Sequence, residues 1–153
     1  MKIIDCFMYF DEDLMLDLRL NILDKYVSNF IICEATFNHK GLKKKLNFDI
    51  NKFSKFKNKI IYLVLDKEPS NIKKISPEDN QSVINSKILD NSINRDIGQR
   101  NHLIEGIKKF NDEDLILLND IDEIPNLEFF KYKSKITIFK QKMIYYKFNL
   151  LYP

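Results

Sequence analysis

The segment Asp114-Leu115-Ile116-Leu117-Leu118-Asn119-Asp120-Ile121-Asp122-Glu123-Ile124-Pro125 decides how this chain is read. A short aliphatic run passes directly into an acidic group, and Pro125 prevents the strand from continuing. Such a run suits a strand buried on both faces, as in a parallel sheet. Residues two apart in extended backbone point to the same side, so Asp120 and Asp122 are expected to converge where the strand ends. Two carboxylates that close repel one another unless a cation or proton sits between them. A hard divalent ion, Mg²⁺ or Mn²⁺, takes oxygen ligands and shares them between protein carboxylates and substrate phosphates. The plainer reading is a solvated acidic turn that caps a helix-like stretch over residues 125–131.

Upstream, further apolar runs alternate with helical patterns. Residues 1–10 read as a buried first strand, and Asn29–Ala35 and Ile60–Leu65 as two more. Residues 14–27 alternate like a strand at Leu14, Leu16, Leu18, Leu20 and Ile22. They also repeat like a helix face at Leu14, Leu18, Ile22 and Tyr26. Length and the preceding Asp11-Glu12-Asp13, with Asp13 as N-cap, favour the helix. A second helix is expected over residues 93–110, with Ile93, Ile97, Ile104 and Ile107 on one face. Residues 66–92, with Pro69, Pro77 and little periodicity, read as a flexible loop with some local helix, or a mobile flap. Residues 136–139 and 143–150 are β-like. Strands alternating with helices indicate an α/β domain with a mainly parallel sheet, whose ligands bind beyond the carboxyl ends of the strands.

Composition narrows the function classes. The 153 residues suit one domain, and 44% hydrophobic with 31% charged residues is a globular balance. The net charge of +3 is mild, and its lysines are dispersed, which argues against nucleic acid as partner. Cys6 and Cys33 lie inside apolar runs without metal-ligand spacing and read as buried thiols of a reducing compartment. No signal peptide and no membrane-spanning run is seen, so a cytoplasmic location is expected.

Around the acidic pair the sequence resembles glycosyltransferase family 17, the group that includes the β-1,4-mannosyl-glycoprotein N-acetylglucosaminyltransferases. The likeness rests on Asn119-Asp120-Ile121-Asp122-Glu123-Ile124-Pro125 and on the opening Ile4-Asp5-Cys6-Phe7-Met8-Tyr9-Phe10-Asp11-Glu12-Asp13-Leu14. It extends to Leu18-Arg19-Leu20-Asn21-Ile22-Leu23, to Val27-Ser28-Asn29-Phe30-Ile31-Ile32-Cys33-Glu34-Ala35-Thr36, and to residues 37–48. Arg95-Asp96 and Gln99-Arg100-Asn101 resemble the basic helix ahead of the acidic strand.

The resemblance implies a GT-A-like (Rossmann-like) fold, a nucleotide-sugar donor such as UDP-N-acetylglucosamine, a glycan acceptor and inversion at the anomeric carbon. It also implies a divalent metal, Mn²⁺ or Mg²⁺, on Asp120 and Asp122. Asp5 and Glu12 are then candidates to read uracil and ribose, against plainer roles as a buried structural acid and a helix cap. Glu34 is a candidate donor contact. Arg95 and Arg100 are candidate phosphate forks, although Arg100 with Asp96 is also an ordinary i, i+4 helix pair. Lys44 and Lys45 face the diphosphate or acceptor in one reading and solvent in the other. Family members are usually longer, so the catalytic base, which an inverting transfer requires, is expected beyond Pro153. Two alternatives stand beside the transferase: a truncated, non-catalytic nucleotide-sugar-binding domain, and a haloacid-dehalogenase-like phosphatase, whose D-x-D also follows a strand.

Overall fold

A computed structural model describes residues 1–132 and 134–141. Its strands are β1 (Ile3–Met8), β2 (Asn29–Ala35), β3 (Ile60–Leu65) and β4 (Leu115–Leu118), and its helices are α1 (Asp13–Leu23), α2 (Gln81–His102) and α3 (Ile104–Ile107). Among the described residues the strands form one four-stranded parallel sheet in the order β3-β2-β1-β4. The chain steps outward from β1 through β2 to β3, then returns to the far side of β1 as β4. The direction of winding therefore reverses between β1 and β4, and the crevice at their carboxyl ends is where such sheets bind ligands.

Each sheet face carries its own apolar set, because successive strand residues point to opposite sides, and at β4 Ile116 and Leu118 remain exposed. Phe7, Phe30, Ile32 and Leu117 meet Leu16, Leu20 and Leu23 of α1, with Phe53 and Phe56 closing the end. Ile4, Cys6, Ile31 and Cys33 lie under Leu103, with Ile107 and Phe110 beside it. Burying Leu16, Leu20 and Leu23 contributes roughly 1.5–3 kcal/mol each. Both cysteines are free and buried, and burial pushes the Cys33 thiol up to about 12.

The helix faces differ from the sequence pattern. Leu14 is 85% exposed, and Leu18 and Ile22 are also exposed, while Leu16, Arg19, Leu20 and Leu23 are buried. The i, i+3, i+4, i+7 stripe was present, but an arginine occupies one of its positions, and hydropathy counts arginine as polar. Asp13 does not cap α1: its carboxylate accepts from the Tyr9 hydroxyl and Lys52.

The expected loop over residues 66–92 ends earlier than the pattern suggested, because α2 begins at Gln81 with Asn80 as its N-cap, accepting from Val83 N. Polar contacts hold this first half of α2 where apolar ones are few. Asn91 bonds both backbone groups of Lys73, and Lys87 pairs with Asp79. The helix then breaks at Leu103, and Ile93, Ile97 and Ile104 face outward rather than inward.

Residues 125–131 form no helix, and residues 136–139 no strand. Ile136 and Ile138 are exposed, and among the described residues no strand pairs with them. The β-like run at 143–150 lies outside the described residues.

Candidate functional site

β4 delivers the acidic group to the β1/β4 crevice. Its last pairing sets Leu118 beside Cys6, and Asn119 N then reaches the Cys6 carbonyl at 3.4 Å. Beyond this point the backbone turns instead of remaining extended. Glu123 N donates to the Asp120 carbonyl at 3.0 Å, and Ile124 N to the Asp122 carbonyl at 3.1 Å. The Glu123 carboxylate closes the turn by accepting Asp120 N at 3.2 Å. The strand-alternation premise for Asp120 and Asp122 therefore does not hold. Both are nevertheless exposed, with Ile121 buried between them, so the turn itself keeps both carboxylates on the outside.

A buried arginine underlies this turn. Arg19 Nε and Nη2 fork onto the two oxygens of Asp5 at 2.8 and 2.7 Å, with neither side chain exposed to solvent. Arg19 Nη1 donates to the carbonyls of Asp120, Ile121 and Glu123 at 2.8, 3.1 and 3.0 Å. Its guanidinium lies 4.7 Å from the Phe7 ring centroid. Burial pushes the Asp5 carboxyl up, and the guanidinium pulls it the other way. Asp5 thus lies beneath the candidate site, fully engaged by Arg19. The sequence reading missed Arg19. Its available signal was an arginine at the one polar position of a stripe otherwise made of leucines.

On the outer side, Arg100 Nη2 donates to Asp120 Oδ1 at 2.7 Å and stands 3.8 Å from Asp96. Asp120 Oδ2 has no partner among the described residues. Asp122 lines an open cleft of about 1420 Å³ along β4, together with Asn119, Glu123, Phe130 and Tyr132. Asp120 stands outside that cleft, toward α2. No cluster of three or more His, Cys, Asp or Glu side chains is assembled among the described residues. A hard cation held at this turn would take two carboxylates from the protein and its remaining oxygens from phosphate and water. Asp120 Oδ2 and Asp122 would be those carboxylates.

The other candidates divide by position. Glu12 accepts the backbone N–H groups of Phe10 and Asp11 and shapes the elbow after β1. Glu34 is buried near the end of β2, where Lys44, Asn47 N, Phe48 N and the Tyr62 hydroxyl all donate to it. Arg95 is nearly buried and binds Glu68 Oε1 at 2.6 Å and the His39 carbonyl at 3.0 Å. Gly41, at φ +80°, allows that approach, since a Cβ there would lie 2.4 Å from Arg95 Nη2. The structure therefore brings Arg100 and Asp5 to the acidic turn, and engages Glu34 and Arg95 in holding residues 37–48. Gln99 lies across the carboxyl ends of β1 and β2: its Nε2 donates to the Cys33 carbonyl at 2.8 Å and stands 3.5 Å from the Tyr9 carbonyl.

A parallel sheet that carries an exposed acidic turn at its reversal point is a Rossmann-like α/β domain, a fold compatible with a glycosyltransferase. The model of glycosyltransferase family 17 matches residues 1–152, and the chain belongs to that family. It is a glycosyltransferase, which sets the phosphatase alternative aside. No curated protein and no solved structure matches it. Among the described residues no helix is long and apolar enough to cross a membrane.

Proposed function

We propose that the chain transfers a sugar, N-acetylglucosamine in the first instance, from a UDP-linked donor to a glycan acceptor with inversion. The exposed acidic turn at the carboxyl end of β4, with Arg100 against it, carries this reading. Asp120 and Asp122 would hold a divalent ion, Mn²⁺ or Mg²⁺, through carboxylate oxygens. When bound, such an ion neutralises the charge that develops on a departing diphosphate. Arg100, with donors left over from Asp120, forks onto a phosphate oxygen and adds fixed positive charge on the same side. Reaction joins the acceptor hydroxyl oxygen to the anomeric carbon and breaks that carbon's bond to the diphosphate, and the hydroxyl proton passes to a base.

Calorimetric titration of UDP with and without Mn²⁺ tests the site. Binding is expected only with the ion, and is expected to vanish in the Asp120→Asn, Asp122→Asn double variant. Equal binding by that variant removes the metal site. Release of UDP from UDP-sugars in the presence of glycan acceptors separates a catalyst from a nucleotide-sugar binder.

A further inference from the structure

We propose that Arg19, anchored by Asp5, is a positioning residue that holds the acidic turn in its working shape before any ligand arrives. The inference rests on the donor-site reading above and assigns the device that preorganises that site. A planar peptide is fixed once its carbonyl or its N–H is bound in a set direction. The Asp120, Ile121 and Glu123 carbonyls converge on one guanidinium nitrogen, whose two N–H groups are shared among three oxygens. The remaining plane, between Asp122 and Glu123, is held at both ends by the turn's own bonds. Every peptide plane from 120 to 124 is thereby held by at least one hydrogen bond.

Ordering a backbone residue costs about 1–2 kcal/mol, and here that cost is met in folding rather than in binding. The Asp5 fork orients the guanidinium, because a planar five-donor group engaged along one edge has its remaining donors aimed. Since Asp5 is in β1 and Arg19 in α1, the turn is tied to the two elements that form the rest of the crevice.

The test uses two variants of the full chain. Asp5→Leu with Arg19→Met replaces the buried pair by apolar groups, an exchange that often preserves stability. Arg19→Lys keeps a cation beside Asp5 but cannot both fork onto a carboxylate and reach three carbonyls. Hydrogen exchange in the metal-free protein is expected to speed up by about tenfold or more at Asp120, Glu123 and Ile124, with β2 unchanged. Mn²⁺ affinity, followed by electron paramagnetic resonance, is expected to weaken about tenfold or more. Should the double variant fail to fold, Arg19→Lys supplies the same two readouts. A folded variant whose turn exchanges and binds Mn²⁺ like the parent overturns the positioning role. A parent that binds no Mn²⁺ overturns the donor-site reading instead, and hydrogen exchange still decides the role of Arg19.

Discussion

Two arginine–aspartate pairs flank the same turn and do opposite work. Arg19–Asp5 is sealed beneath it, with neither side chain exposed, and every bond it makes goes to protein. Arg100–Asp120 lies on top, with the side chains 32% and 52% exposed, and leaves one carboxylate oxygen and several N–H groups uncommitted. A sealed pair in a low-dielectric interior holds one geometry strongly and cannot exchange partners, so it serves shape. An open pair is weak, is screened by salt, and can admit a competing cation or phosphate. The contrast separates the part of the site that determines backbone form from the part that meets ligand. No buried side-chain nitrogen or oxygen among the described residues lacks a partner, so the interior is committed to structure throughout.

The sharpest way to break the contrast is Arg19→Ala. It strands a buried carboxyl and frees three carbonyls, and about 3–5 kcal/mol of stability should be lost in urea unfolding. A loss below about 1 kcal/mol would place the pair in the same class as surface bridges. Next is Glu34→Gln, which tests whether a second sealed acid behaves alike. Its carboxylate accepts from two backbone N–H groups, Lys44 and Tyr62, and swapping one oxygen for a donor should cost about 1–3 kcal/mol by the same assay. Little change in UDP affinity should accompany it beyond what loosening of residues 37–48 causes.

Arg100→Ala should lie at the other extreme. Its stability change is expected to stay under about 1 kcal/mol, while metal-dependent UDP affinity falls several-fold in titration. A stability loss as large as that of Arg19→Ala would erase the distinction. The smallest effect concerns the rim pair Asp13–Lys52. The Lys52 ammonium, and then the Tyr9 hydroxyl, hold the Asp13 carboxyl below its ordinary value. Its contribution is thus present above the ordinary carboxylate range and disappears as pH falls through the lowered value. Because both side chains are substantially exposed, Asp13→Asn should flatten the acid side of the stability curve by less than about 0.5 kcal/mol. Thermal unfolding between roughly pH 5 and pH 2 checks this.

The strands were legible in the sequence. β2 and β3 begin and end where their apolar runs do, and β4 is the aliphatic run before Asn119; β2 is buried on both faces, whereas the edge strands keep Val64, Ile116 and Leu118 exposed, so their apolar runs marked the strands without marking burial. The helices were harder. Residues 14–27 presented one stripe made only of apolar residues and another interrupted by Arg19, and the second was buried. Charge excludes a residue from a core only when no partner waits there, and Asp5, 14 positions earlier in the chain, is that partner. The first half of α2 escaped notice because Asn80, Asn91, Lys87 and Asp79 stabilise it with polar contacts that have no periodicity.

By itself the sequence determined the parallel α/β class, the position of the acidic turn and the family to which its motifs belong. These follow from local patterns: apolar runs, their spacing, and short groups of adjacent residues. Tertiary structure alone decided that Asp5 lies beneath the site rather than in it, that Glu34 and Arg95 brace residues 37–48, and that Arg19 grips the turn. Each of those depends on which side chains meet across long stretches of chain, and hydrogen-bond donors and acceptors leave no periodic trace of the partner they will find.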